Sequence, residues 1–140
     1  MIVPDIPPEE SHEGYWTLTY KNGLAAIPLV SPVSSETRLK KIAAASKSGF
    51  VYCVSTTGTT GARKELPQDL RAYLQRIRRH FSQPLAVGFG ISKREHIQIL
   101  SGSAEIAIVG SAVINIIEKS SAKSAAANVR KFVRQLTRNS

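Results

Sequence analysis

At 140 residues, 42% hydrophobic and 21% charged, the chain has the make-up of one globular domain with a real core, which excludes a disordered segment. No apolar run approaches the roughly 18 residues of a membrane span, and a lone cysteine, Cys53, excludes an intramolecular disulfide and suits a reducing compartment. The net charge of +9 would admit an anionic partner such as nucleic acid. The excess, however, lies on Arg76, Arg78, Arg79, Arg130, Lys131, Arg134 and Arg138, on the polar sides of predicted helices and without interleaved aromatics, so solvated helix faces are the preferred reading.

Short apolar runs alternate with helical patterns along the chain, the mark of repeated βα units and an α/β fold with a parallel sheet. The runs begin near Ile2, Ala25, Phe50, Leu85 and Ile106. Each is about four or five residues of Val, Ile, Leu and Ala without alternation, as expected for strands covered on both faces. The first is cut to Met1-Ile2-Val3 before Pro4-Asp5, and its N-terminus through Glu10 is proline-rich and acidic, unlike a secretory signal. An α/β unit opening inside a strand leaves a sheet edge and helix flank uncovered, so the chain is expected to be the C-terminal part of a longer protein.

A helix is predicted from Pro8 to Asn22, with Glu9 and Glu10 at its positive end and Gly23 stopping it. A second runs from Ser35 to Ala45, capped by Ser34 or Ser35, with Leu39 and Ile42 inward. After the strand Phe50–Val54 comes a connection of about twelve residues, Ser55 to Leu66, containing Gly58 and Gly61; a long glycine-bearing loop at a catalytic face reads as a lid. The helix Pro67–Phe81 sets Leu66, Leu70, Leu74, Ile77 and Phe81 in one stripe. A weaker helix spans Lys93–Leu100, capped by Ser92, and the last, about Ala122–Thr137, aligns Ala126, Val129, Val133 and Leu136.

The chemistry-bearing signals are glycines at strand ends. Leu85-Ala-Val runs into Gly88-Phe89-Gly90-Ile91-Ser92, and Ile106-Ala-Ile-Val into Gly110-Ser111, each followed by a helix start. Glycine lets the backbone approach a ligand and offer N–H groups to an anion, and the following helix end adds positive potential. In (β/α)8 barrels a phosphate site commonly follows the last two strands. Either glycine alone also fits a tight βα turn. A Walker A loop is excluded because Arg63 replaces its second glycine and Glu65 follows Lys64; a dinucleotide fingerprint fails because Lys93 replaces its third glycine. His12, His80 and His96 lack ligand-spaced partners and are read as surface histidines, and Cys53 as a small core residue. Asp5, the carboxylate directly after an apolar run, is read first as a cap for the Pro7-Pro8 helix start and second as an active-site group.

In order, Val3-Pro-Asp-Ile-Pro-Pro-Glu-Glu-Ser11, Gly49-Phe-Val-Tyr-Cys-Val-Ser55, Gly58-Thr-Thr-Gly-Ala62, Val87-Gly-Phe-Gly-Ile-Ser92 and Val109-Gly-Ser-Ala112 closely resemble the alpha subunit family of tryptophan synthase. The resemblance covers essentially the whole chain. It implies an α/β fold, the C-terminal half of a (β/α)8 TIM barrel: the end of strand four, strands five to eight and their helices, over residues 1–140. The activity it implies is the lyase step of L-tryptophan biosynthesis, retro-aldol cleavage of indole-3-glycerol phosphate to indole and glyceraldehyde 3-phosphate. Gly61, Gly88, Phe89, Gly90, Gly110 and Ser111 would hold the substrate phosphate, Tyr52 would line the pocket and Thr60 would belong to the closing loop. Asp5 would lie towards the interface with the beta subunit of an alpha2beta2 tetramer, where the only cofactor, pyridoxal phosphate, would reside.

The resemblance also implies a gap. The family's proton-transferring glutamate and aspartate belong to strand two and its loop, upstream of Met1, so no catalytic residue is expected in these residues and no turnover from them alone. No membrane or nucleic-acid partner is implied, and the compartment stays open between cytoplasm and plastid stroma. Other readings are another phosphate-binding barrel enzyme, a non-catalytic half-barrel that associates with a partner or itself, and, last, a basic RNA-binding module.

Overall fold

A computed structural model describes residues 1–4, 6, 14–46, 48–54, 69–88 and 90–137 of the chain. Its elements are α1 (Tyr15–Lys21), β1 (Leu29–Val30), α2 (Glu36–Ala45), β2 (Val51–Val54), α3 (Leu70–Arg78), β3 (Leu85–Gly88), α4 (Arg94–Leu100), β4 (Ile106–Ala107), α5 (Ser111–Glu118) and α6 (Ala125–Thr137). The four strands pair parallel in sequential order β1-β2-β3-β4. Parallel neighbours need crossover connections, and the alternating helices supply them.

Two strands are shorter than the apolar runs that predict them. Pro28, which has no N–H, separates the isolated parallel bridge Ile2–Ile27 from β1, so the run starting at Ala25 yields only Leu29–Val30 as strand. The cut first run still joins the sheet edge: the Ile27 N–H donates to the Met1 carbonyl at 2.9 Å, and the terminal ammonium of Met1 donates to the Ala25 carbonyl.

Register divides the strand residues into two rows. Val30, Cys53, Val87 and Ala107 are partners across the sheet, as are Leu29, Tyr52, Ala86 and Ile106 one residue earlier. Successive residues of a strand point to opposite faces. The row of Val30, Cys53 and Val87, with Val51 and Leu85, joins Leu39 and Ile42 of α2, Leu70, Tyr73, Leu74 and Ile77 of α3, Phe81, Ile91 and Leu100 in one core. In the other row Leu29, Tyr52 and Ile106 are half-buried and Ala86 is fully buried. The expected strand covered on both faces is found in β3, buried at all four residues, but not in β1, β2 or β4.

The helix boundaries follow local chemistry. Ser35 caps α2, its hydroxyl accepting the Arg38 N–H at 3.2 Å, and Leu39 and Ile42 are fully buried as their spacing requires. Asn22 closes α1 and Gly23 follows at φ 71°, the left-handed conformation that ends helices on glycine. The predicted start at Pro8 lies outside the described residues, but α1 begins only at Tyr15, after Gly14 in the capping position at φ 68°; the Ser55–Leu66 connection also lies outside the described residues. α3 ends at Arg78 rather than Phe81, but Leu70, Leu74, Ile77 and Phe81 are all buried. α4 begins at Arg94 with Lys93, not Ser92, in the capping position.

The arginines of α3 are not a bare solvated face. Arg76 donates to the carbonyls of Pro32 (2.8 Å) and Ser34 (3.0 Å) and pairs with Glu36, tying α3 to the turn after β1. Arg78 grips both oxygens of Glu105 at 2.6 Å and the Gln83 carbonyl at 2.9 Å. At the far flank, α6 packs on α5 and α4, leaving Ala126 and Val133 of its predicted stripe exposed while Leu136 is buried. Ile114 and Ile117 of α5 are likewise exposed on this flank. No helix of the described residues is long and apolar enough to cross a membrane.

Candidate functional site

The site forms where β3 and β4 end. Their ladder pairs Val87 with Ala107, and the Ile108 N–H then donates to the Val87 carbonyl at 2.8 Å. That bond keeps the two strands abreast one residue past β4, so Gly88 and Gly90 follow one strand and Val109 and Gly110 the strand next to it. The glycine-rich ends singled out in the sequence are thus neighbours.

Two of the site's three described glycines have a physical reason of their own. Gly90 sits at φ 94°, a conformation side chains disfavour. Gly88 has an ordinary φ but no room: an added β-carbon would strike the hydroxyl and ring of Tyr52, standing 2.7 Å from its Cε1. Gly110 has neither constraint: it stands at φ −111°, and beyond its chain neighbours no atom of the described residues lies within 4 Å of a would-be β-carbon.

Gly110 also occupies the N-cap of α5, so Ser111 is the first helical residue and Ala112 the second. The leading N–H groups of a helix have no partners within it, and together they present positive potential. No acidic side chain in the first turn of α5 offsets that potential. Backbone N–H groups, the Ser111 hydroxyl and a glycine-lined approach suit a compact oxyanion such as phosphate.

Tyr52 stands on β2 in the less-covered row, next to Ala86 of β3. Partial burial pushes its phenol above the ordinary range, so it stays protonated. Small residues at Ala86 and Gly88 leave the space that its ring fills. Cys53, one residue on, points the opposite way into the core, and burial pushes its thiol up to about 12, which suits packing rather than nucleophilic chemistry.

Of the residues expected from the sequence, the structure brings Tyr52, Gly88, Gly90, Gly110 and Ser111 to one side of two adjoining strand ends. Asp5, Thr60, Gly61 and Phe89 lie outside the described residues. The histidines differ from expectation. His96 is buried, its Nδ1 accepting the Ser92 N–H at 3.2 Å, and His80 contacts Glu36 at 2.7 Å with little exposure. Only His12 lies outside the described residues. Among those described, no group of three His, Cys, Asp or Glu side chains gathers as a metal site.

A family model described as "Tryptophan synthase alpha chain" matches residues 1–140. The tryptophan synthase alpha chain of Roseiflexus castenholzii is 46% identical over 136 residues, which are 97% of this chain and 51% of that protein. The corresponding chain of Methanocaldococcus jannaschii is 44% identical over 119 residues, covering 85% of this chain and 42% of its own length. A solved structure from Pyrococcus furiosus, described as the tryptophan synthase a2b2 complex, superposes with a TM-score of 0.82 at 37% identity. It covers 96% of this chain, which in turn covers 54% of it. The chain spans about half the length of the relatives it matches.

Proposed function

Because this chain belongs to the tryptophan synthase alpha chain family, we propose that its two glycine-rich strand ends hold the phosphate of indole-3-glycerol phosphate during cleavage to indole and glyceraldehyde 3-phosphate. The observation that supports this reading is the pairing of the β3 and β4 ends through the Ile108–Val87 hydrogen bond, from which the segments bearing Gly88 and Gly90 and bearing Gly110 and Ser111 run on from adjacent strands. Tyr52 lines the adjoining wall, and Phe89, Thr60 and Gly61 complete the phosphate grip and closing loop by motif. Asp5 and the prolines after it face the beta subunit, which takes up the indole. Pyridoxal phosphate belongs to that partner, and this chain uses no cofactor of its own.

A phosphate grip alone lowers no barrier at the breaking carbon–carbon bond; that step needs acid–base groups at the indole and glycerol ends. No carboxylate of these 140 residues matches the family's glutamate and aspartate, so by themselves they bind without turning over. Titrating the 140-residue chain with inorganic phosphate and glyceraldehyde 3-phosphate tests the first claim. Saturable, mutually competitive amide shifts at Gly90, Gly110 and Ser111 are expected, and their absence would overturn the assignment. Release of indole from indole-3-glycerol phosphate by the purified chain would overturn the second.

A further inference from the structure

His96 is 3% exposed on the first turn of α4, in a place where the sequence predicts a surface residue. Its Nδ1 accepts the backbone N–H of Ser92 at 3.2 Å. Ser92 closes the segment that leaves β3 through Gly88 and Gly90, and the cap residue of α4, Lys93, makes no side-chain capping bond. The imidazole therefore reaches back past the cap, as the third residue of a capping box does, but to the residue before it.

We propose that His96 is a positioning residue for the anion site, fixing the segment from Gly90 to Ser92 by accepting the Ser92 N–H; this rests on the phosphate-binding reading of that segment. A site made of backbone N–H groups binds tightly only when those groups are held in place before the ligand arrives. Gly90, at φ 94°, supplies no stiffness of its own and would let the turn wander. The buried ring anchors the turn two residues further on. A Nδ1 that accepts a hydrogen bond bears no proton, so the ring is the neutral tautomer protonated at Nε2.

The test is a phosphate titration of the full 140-residue chain and three variants, followed by amide shifts, with thermal unfolding recorded beside it. H96L removes the acceptor at similar bulk and is expected to weaken phosphate binding about tenfold, the scale of one lost hydrogen bond. H96N restores an acceptor at the δ position and is expected to bind within about threefold of the parent. I97A thins the packing of the same helix and is expected to lower the melting temperature while leaving the affinity unchanged. Parent-like affinity in H96L, equal losses in H96N and H96L, or an equal loss in I97A would each overturn the proposal. Nitrogen-15 spectra of the unmutated chain give an arm independent of variant folding: a proton on Nδ1 of His96 would refute it. Failure of the unmutated chain to bind phosphate would instead sink the site itself.

Discussion

The phenol of Tyr52 lies across Gly88 so closely that no β-carbon could occupy position 88 without moving the ring. Gly88→Ala is expected to destabilise the fold by about 1–3 kcal/mol, the range for overpacking a tight interior. Trimming the ring should remove the conflict, so Tyr52→Ala combined with Gly88→Ala is expected to lose less than the two single changes summed. A double-mutant cycle in urea gives the coupling, and additive losses would contradict this packing.

Gly110 should behave in the opposite manner. Beyond its chain neighbours nothing of the described residues lies near its absent β-carbon, so Gly110→Ala is expected to change stability by no more than about 0.5 kcal/mol, as at an uncrowded position. Phosphate affinity should nevertheless fall, because the methyl enters the space assigned to the ligand. Urea denaturation and a phosphate titration on the same variant separate the two effects.

Glu105 accepts the Leu85 N–H at 2.7 Å, and both of its oxygens accept from Nη2 of Arg78. The Leu85 N–H first, and Arg78 after it, hold its carboxyl below the usual 4.5, with partial burial opposing. A lowered folded value means stability that is complete above the ordinary value and lost as pH falls through the folded one. Glu105→Gln is expected to cost about 1 kcal/mol at neutral pH, a modest figure because the side chain is half exposed. The gap between parent and variant should narrow as pH drops below 4.5, and a pH-independent gap would contradict the assignment.

Tyr73 donates its hydroxyl to the Val30 carbonyl at 3.0 Å inside the core. Tyr73→Phe keeps the ring and removes that bond, for an expected loss of about 1 kcal/mol in chemical denaturation. Cys53, fully buried beside it, should resist a thiol reagent at pH 8 until the chain unfolds. A modification rate that follows the unfolding rate is the expected result, and rapid labelling of folded protein would contradict the burial.

Local pattern made part of this architecture readable. Leu39 and Ile42 of α2, and Leu70, Leu74 and Ile77 of α3, are buried because helical spacing fixes which side chains share a face. The strand-end glycines were legible for a similar reason, since a break in an apolar run marks where a strand stops. Tyr52, by contrast, came from family resemblance alone, because nothing in its spacing says that its ring meets Gly88. The bonds of Tyr73 and Arg76, the latter read from the sequence as part of a solvated helix face, are not legible because their partners, Val30, Pro32 and Ser34, are more than forty residues away in sequence. His96 was misplaced because an isolated histidine in a polar helix gives no hint of a backbone donor turned towards it. The exposed stripe of α6 shows the converse: periodicity gives the apolar face of a helix but not whether a neighbour covers it.

The two rows of the sheet divide the labour of the sequence. Residues such as Val51, Cys53, Leu85 and Val87 answer to the helices, while Leu29, Tyr52, Ala86 and Ile106 answer to whatever occupies the opposite side. Since the rows alternate along each strand, the half-buried positions Leu29 and Ile106 can be varied with the least disturbance of the core. In an engineering campaign they are therefore the positions to randomise, while Ala86, fully buried, and Tyr52, whose ring is packed on Gly88, are to be left alone with their immediate neighbours.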